Sequence, residues 1–375
     1  MDRHWSIYLN LMRVLAALTV VVSHLFDENI TGHLFADSRP LPGFGHHAVV
    51  IFFVLSGFVI AFSAEKAADL RSFLTTRIAR LHSVVIPMLL IVPVIDAVGF
   101  ALEPGLYGDA QEASVLNILT SLSFTGQIWF ADRTYLSNDP FWSIGYEAAY
   151  YGLFAAWFFL RGRARWVWLC AGALFVGPKV LLLLPPWAAG ALLYRHRGRL
   201  RVGPALGVAL LLGSVVLYAL GLRYGVFAAL NWSAARGWAA LGSDHHLWRY
   251  SAFWPTDYAI ALLVCLNMIG AMSVFRAGGL SLAWLARPAA WLADGSFALY
   301  LFHQPIMLAI SAAIGDLRAT PHGAAIVLLG ATVGAYLLAE LSDRRRRAWQ
   351  RLFDALSSRL GRYRGVSVAL SGTRS

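Results

Sequence analysis

The first membrane-length stretch reads Trp5-Ser-Ile-Tyr-Leu-Asn-Leu-Met-Arg13-Val-Leu-Ala-Ala-Leu-Thr-Val-Val-Val-Ser-His24. Its length matches the roughly 20 apolar residues that cross a bilayer as a helix. Yet it holds an arginine and a histidine. An ionisable side chain at the bilayer centre costs roughly 2.5–3.5 kcal/mol on insertion scales, so such a group tends to face the protein interior. An eleven-residue step along an α-helix turns about 1100°, three turns plus about 20°, and rises about 16 Å. Arg13 and His24 therefore share one face of one helix. The apolar run is interrupted by Arg13 and no small-residue cleavage site follows it, so the segment reads as a retained span rather than a leader peptide.

The rest of the chain has the same character. Of its 375 residues, 58% are hydrophobic and 14% charged. That composition excludes an ordinary soluble domain and predicts an all-α, polytopic transmembrane bundle. About ten spans can be drawn, near 5–26, 46–64, 83–103, 141–160, 166–177, 179–194, 202–221, 253–275, 291–314 and 321–341. The fifth and sixth are short, and Pro178, Pro185 and Pro186 predict a broken or tilted pair there. Residues 1–342 form the membrane domain on this reading, and 343–375 a basic cytoplasmic tail. The tail is too short to be a second domain.

Basic residues set the orientation. Lys66, Arg71, Arg77, Arg80, the Arg161–Arg165 and Arg195–Arg201 clusters and the tail arginines all fall on one side if the N-terminus is cytoplasmic. The few outside include Arg39, Arg133, Lys179 and Arg318. Both termini are thus expected in the cytoplasm, with His24 near the outer face. The same asymmetry accounts for the formal charge of +11 without a nucleic-acid partner. Arg344 to Arg347 suit an anionic inner leaflet. Cys170 and Cys265 lie in apolar runs and imply no disulfide framework. His46-His47 and His245-His246 are adjacent pairs that do not share a helix face, so no metal site is expected. The long outside loops, about 104–140 and 222–252, are aromatic-rich. Trp129, Trp142, Trp232, Trp238 and Trp248 read either as an interfacial belt or as stacking faces for a sugar.

Five phrases in order resemble the acyltransferase 3 family of bacterial membrane O-acyltransferases, over about residues 5–341. They are Arg13 and His24 in the first span; Phe52 to Phe58 (Phe-Phe-Val-Leu-Ser-Gly-Phe); Phe73, Leu74, Arg77 and Arg80; Trp142, Ser143, Ile144 and Glu147; and Tyr300-Leu-Phe-His303-Gln-Pro305. The sequence departs from the family pattern at Val50 and Ile51, where a polar residue is common. It departs again at Leu81-His82-Ser83, where a proline is displaced to Pro87, and after Glu340, followed here by Leu-Ser-Asp.

The resemblance implies acyl transfer from cytoplasmic acyl-CoA to a hydroxyl on an extracytoplasmic or lipid-linked glycan, in the bacterial cytoplasmic (inner) membrane. Acetyl-CoA is the family's commonest donor, and glycan-assembly proteins are natural partners. A small secondary metabolite such as a macrolide is an alternative acceptor. A solute transporter using Arg13, His24 and Glu147 as a relay is the non-enzymatic rival, though no internal repeat supports it. Imidazole is the natural base at neutral pH, which points to His24. Arg13 is a permanent cation for the donor's polar arm or a structural ion pair. Glu147 is expected at the depth of His24, able to orient the imidazole, with Asp257 a weaker candidate for that layer. Arg77 and Arg80, at i and i+3, can clamp phosphate or anchor the helix at the surface. His303 and Ser56 are expected along the donor channel, or as packing residues.

Overall fold

The computed structural model describes residues 3–31, 43–108, 110, 112–278, 282–317 and 319–355. Arg39, Arg318 and tail residues 356–375 lie outside the described residues. Among the described residues the chain forms α-helices and short 3-10 turns, with no β-strand. In order these are α1 (Arg3–His24), α2 (Glu28–Thr31), α3 (Phe44–Lys66), α4 (Leu70–Leu102), α5 (Val115–Ser123), α6 (Trp142–Phe159), α7 (Gly162–Val176), α8 (Pro178–Leu182) and α9 (Leu184–His196). They continue with α10 (Pro204–Arg223), α11 (Val226–Ala240), α12 (Trp254–Arg276), α13 (Ala286–Asp294), α14 (Ser296–Ile314) and α15 (Gly323–Ala339). A helical stretch over 346–355 follows.

Among the described residues, seven helical segments are long and apolar enough to cross a membrane: those containing α1, α3, α4, α10, α12, α14 and α15. Helix α6, α7 and the α8–α9 pair fall short of that standard. The prolines explain the last of these. Gly177 leaves the helical region at φ 81°, Pro178 starts α8, and Pro185 and Pro186 occupy the first turn of α9. Proline suits a first turn because its missing N–H has no partner to lose there. The ninth expected span, drawn from 291, divides at Gly295 into amphipathic α13 and apolar α14. The expected outside loops also carry helices, α5 and α11, that were not foreseen.

Helix α4 begins well before the expected 83. The Asp69 carboxylate accepts the Ser72 N–H at 2.7 Å, an N-cap that starts the helix thirteen residues earlier. Arg77 and Arg80 thus sit within one continuous helix.

The tightest helix contact is α3 on α9. A Cβ at Gly57 would lie 1.9 Å from the Trp187 carbonyl oxygen, and one at Gly190 would lie 1.9 Å from that of Val54. Only glycine lets two main chains approach this closely.

Proline shapes α14 differently. Pro305 has no N–H to give the carbonyl four residues back, at Leu301. Asn138 fills that vacancy, donating from Nδ2 to the Leu301 oxygen at 2.7 Å. The Tyr300 hydroxyl reaches the Pro140 oxygen at 3.0 Å and Ser143 Oγ at 2.7 Å. The chain entering α6 is therefore pinned to α14, and this junction positions the site.

Candidate active site

A cavity of ≈ 480 Å³ opens among α1, α3, α4, α6 and α14. Arg13, Ser56, Arg77, Arg80, Glu147 and Tyr151 line it. Five of the seven residues expected at the site thus share one space. His24 and His303 are not among its lining residues.

Inside the cavity the polar groups are knitted together. Ser56 Oγ donates to Glu147 Oε1 at 2.6 Å, and the Tyr151 hydroxyl donates to the same oxygen. The Trp187 indole N–H donates to Ser56 Oγ at 3.2 Å. Arg13 Nη2 donates to Ser296 Oγ at 3.3 Å. The Arg77 guanidinium lies 6.0 Å from the Phe73 ring centroid, and its Nε is buried with no hydrogen-bond partner among the described residues. Arg80 pairs with the fully buried Asp343 at 3.3 Å and lies 5.7 Å from the Phe297 ring centroid.

Three further lining residues come from after the last span: Arg346, Arg347 and Gln350. Arg346 pairs with Asp294 at 3.0 Å, and Gln350 Nε2 reaches Thr76 Oγ1 at 3.3 Å. The sequence reading assigned this segment to the membrane surface. Here the basic stretch bends back over the cavity mouth. The pull comes from Asp343, whose carboxylate meets Arg80 from 263 residues away. A lone acidic residue before a run of arginines was the available cue.

The histidines form a second cluster. His24 Nδ1 lies 2.6 Å from Asp27 Oδ2. The ring centroids of His24 and His303 are 5.0 Å apart. In the neutral ring, a hydrogen on Nδ1 would donate to this carboxylate and leave the lone pair on Nε2. The His24 side chain is 19% exposed, so this lone pair is on an accessible ring. His303 is fully buried, with Nδ1 near the carbonyls of Leu299 and Tyr300 at 3.1 and 2.9 Å.

Tyr300 connects the two clusters. It lines the cavity, and its ring centroid lies 6.2 Å from that of His303. Phe52 packs edge-on against it at 5.8 Å.

The structure corrects two expected partnerships. Glu147 does not orient His24: its carboxylate is held by Ser56 and Tyr151 inside the cavity. Asp27, three residues after His24, takes that position instead. A carboxylate at i+3 was legible as a neighbour on a helix, but α1 ends at His24 and periodicity gives no direction beyond it. Asp257 is likewise not beside His24. It is fully buried and meets His46 Nε2 at 3.0 Å, with His46 stacked on Trp142 at 5.7 Å.

Asp139 is the second carboxylate near the His24 end. Tyr250 donates to its Oδ1 at 2.5 Å. Burial raises its carboxyl above the ordinary range, against the opposing pull of that hydrogen bond and of His24.

The loop aromatics are largely spent on each other. Trp142 and Tyr250 stack at 4.0 Å, and Trp238 and Trp248 at 4.1 Å. His245 and His246 come together despite being adjacent in sequence. In a 3-10 turn their rings come within 4.0 Å, and with Asp244 their ligand atoms lie within 4.8 Å of one another. That group is at the surface and none of it lines the cavity.

The acyltransferase domain family matches residues 6–340. The chain belongs to the acyltransferase 3 family. All five phrases that carried the resemblance fall inside the match. Among curated proteins, the chain is 32% identical over 174 residues to "Acyltransferase MdmB" of Streptomyces mycarofaciens, covering 44% of this chain and 42% of that protein. The match therefore spans less than half of that relative's length. No solved structure matches the chain. Family membership and the seven apolar helices together make this a multi-pass membrane protein.

Proposed function

We propose that the protein is a membrane O-acyltransferase. It moves an acyl group from cytoplasmic acyl-CoA to a hydroxyl of an extracytoplasmic or lipid-linked glycan, in the bacterial inner membrane. One observation carries this reading. An arginine-lined cavity includes Tyr300 in its wall, and beyond Tyr300 and His303 stands a half-buried imidazole held by a carboxylate. Two reactants approaching from opposite ends would meet there.

Arg77, Arg80, Arg346 and Arg347 suit the phosphates of the donor, since guanidinium binds phosphate through paired N–H groups. Arg13 and Ser56 lie deeper and suit the pantetheine arm and thioester. On the other side, His24 Nε2 takes the proton of the acceptor hydroxyl. The hydroxyl oxygen attacks the thioester carbonyl, the C–S bond breaks, and CoA leaves as the thiol after His24 returns the proton. Asp27 steadies the imidazolium formed in between, as a triad carboxylate does. His303 and Tyr300 fill the space between the cavity and the imidazole, so their rings must yield for the thioester to reach it.

The test is mass spectrometry of surface glycans from a strain lacking the gene, complemented with the natural chain or with His24→Ala. Acyl mass should vanish on deletion, return with the natural chain and stay absent with His24→Ala. Unchanged glycan mass on deletion would remove the glycan as acceptor. Acylation restored by His24→Ala would remove His24 as the base.

A further inference from the structure

A second cavity lies beside the first. It is an apolar groove of ≈ 580 Å³ between α6, α7 and α9, lined by Ala61, Phe154, Trp157, Leu169, Ala188 and others. The two spaces share walls. Helix α3 gives Ser56, Ile60 and Ser63 to the first and Ala61 and Glu65 to the second. Helix α6 gives Glu147 and Tyr151 to the first and Leu153 and Phe154 to the second. Trp187 lines the groove, and its indole N–H is bonded to Ser56 on the cavity side.

The main chains of α3 and α9 touch at Gly57 and Gly190. Trp187 of α9, 2% exposed, reaches from Ser56 of α3 toward α6. It packs against Tyr150 at 5.8 Å and Phe154 at 5.6 Å.

Resting on the donor reading above, we infer that Trp187 is the stop that restricts the donor to short acyl groups. An acyl chain extended past Ser56 meets the indole. Without the indole it would continue into an apolar groove large enough to bury several more methylenes, each favoured by leaving water. The hydrogen bond to Ser56 holds the ring in place. Trp187 is thus a specificity-determining residue, and the groove is latent binding space.

The experiment uses the full chain in nanodiscs and measures the Kd of acetyl-, butyryl- and hexanoyl-CoA, which needs no acceptor. The natural chain should bind hexanoyl-CoA at least tenfold more weakly than acetyl-CoA. Trp187→Ala should bind hexanoyl-CoA at least as tightly as acetyl-CoA. Adding Ala188→Phe to refill the groove should restore the natural order. If Trp187→Ala does not fold, Trp187→Leu makes a narrower opening and should move the preference to butyryl-CoA. An unchanged chain-length profile in a folded variant that still binds acetyl-CoA overturns the stop while leaving the donor reading intact. A natural chain that binds hexanoyl-CoA as well as acetyl-CoA also overturns it. A natural chain that binds none of the three removes the donor reading itself, and the stop falls with it.

Discussion

His24 Nδ1 and Asp27 Oδ2 stand 2.6 Å apart at the end of α1, with the His303 ring 5.0 Å behind the imidazole. A carboxylate on one ring nitrogen decides what the other can do. It holds hydrogen at Nδ1, leaves the lone pair at Nε2, and stabilises the ring once that lone pair has taken a proton. This is the arrangement a base needs if it is to work on an incoming hydroxyl.

His24→Ala should lower kcat by about 10²–10⁴-fold, the usual worth of a positioned base. Asp27→Asn should lower it by about tenfold or more, because an amide can favour the wrong tautomer. Steady-state acyl transfer with donor KM measured in parallel checks this. Donor KM should hardly move in either variant. An Asp27→Asn enzyme with natural kcat would separate Asp27 from the chemistry.

The cavity mouth gives a different signature. Arg346→Ala and Arg347→Ala should each raise the KM for acyl-CoA by about tenfold, with kcat nearly unchanged. Charge-assisted hydrogen bonds are worth about 1.5–3 kcal/mol, and a solvated mouth takes the lower end. The affinity should also weaken as salt rises, since about 0.15 M salt screens charge beyond roughly 8 Å. Donor binding indifferent to both substitutions and to salt would contradict an anionic ligand there.

Asn138 and Pro305 should be energetically coupled. Asn138→Ala strands the Leu301 carbonyl, and an unsatisfied buried group costs about 1–3 kcal/mol. In a Pro305→Ala background, residue 305 regains an N–H for that carbonyl, so the same truncation should cost less. A thermal-unfolding cycle of the four proteins in detergent measures the difference. Equal costs in both backgrounds would show that Asn138 does not serve the proline.

Gly57→Ala and Gly190→Ala should each destabilise the protein. The added methyl would lie 1.9 Å from a carbonyl oxygen of the facing helix. Overpacking costs about 1–3 kcal/mol in soluble cores, and facing backbone can yield less than side chains. Gly213→Ala is the control, since a Cβ there meets nothing within 4 Å. A Tm unchanged in the first two variants would mean that α3 and α9 can separate freely.

Much of this architecture was legible because the bilayer restricts the options. Apolar runs of about 20 residues must be helices, and the spans around α1, α3, α10, α12 and α15 follow from that rule alone. Charge inside such a run is costly, so Arg13 was bound to face protein, and it does line the cavity. What escaped was set by contacts between distant residues. Glu147 and His24 lie on different helices, and helical rise gives depth without azimuth. The return of Arg346 over the mouth depends on Asp343 finding Arg80, a partner 263 residues away that the acidic residue before the arginine run does not name. The break at Gly295 was hidden because amphipathic α13 and apolar α14 run together in a hydropathy reading.

The cavity draws its walls from residues far apart in sequence, from Arg13 to Gln350. Arg80 stays a buried cation without its counter-ion until Asp343 has been translated and folded back. During synthesis the early helices must therefore wait in the bilayer with an unfinished chamber. A nascent chain stalled before residue 343 should therefore be integrated with Arg80 still lacking that counter-ion.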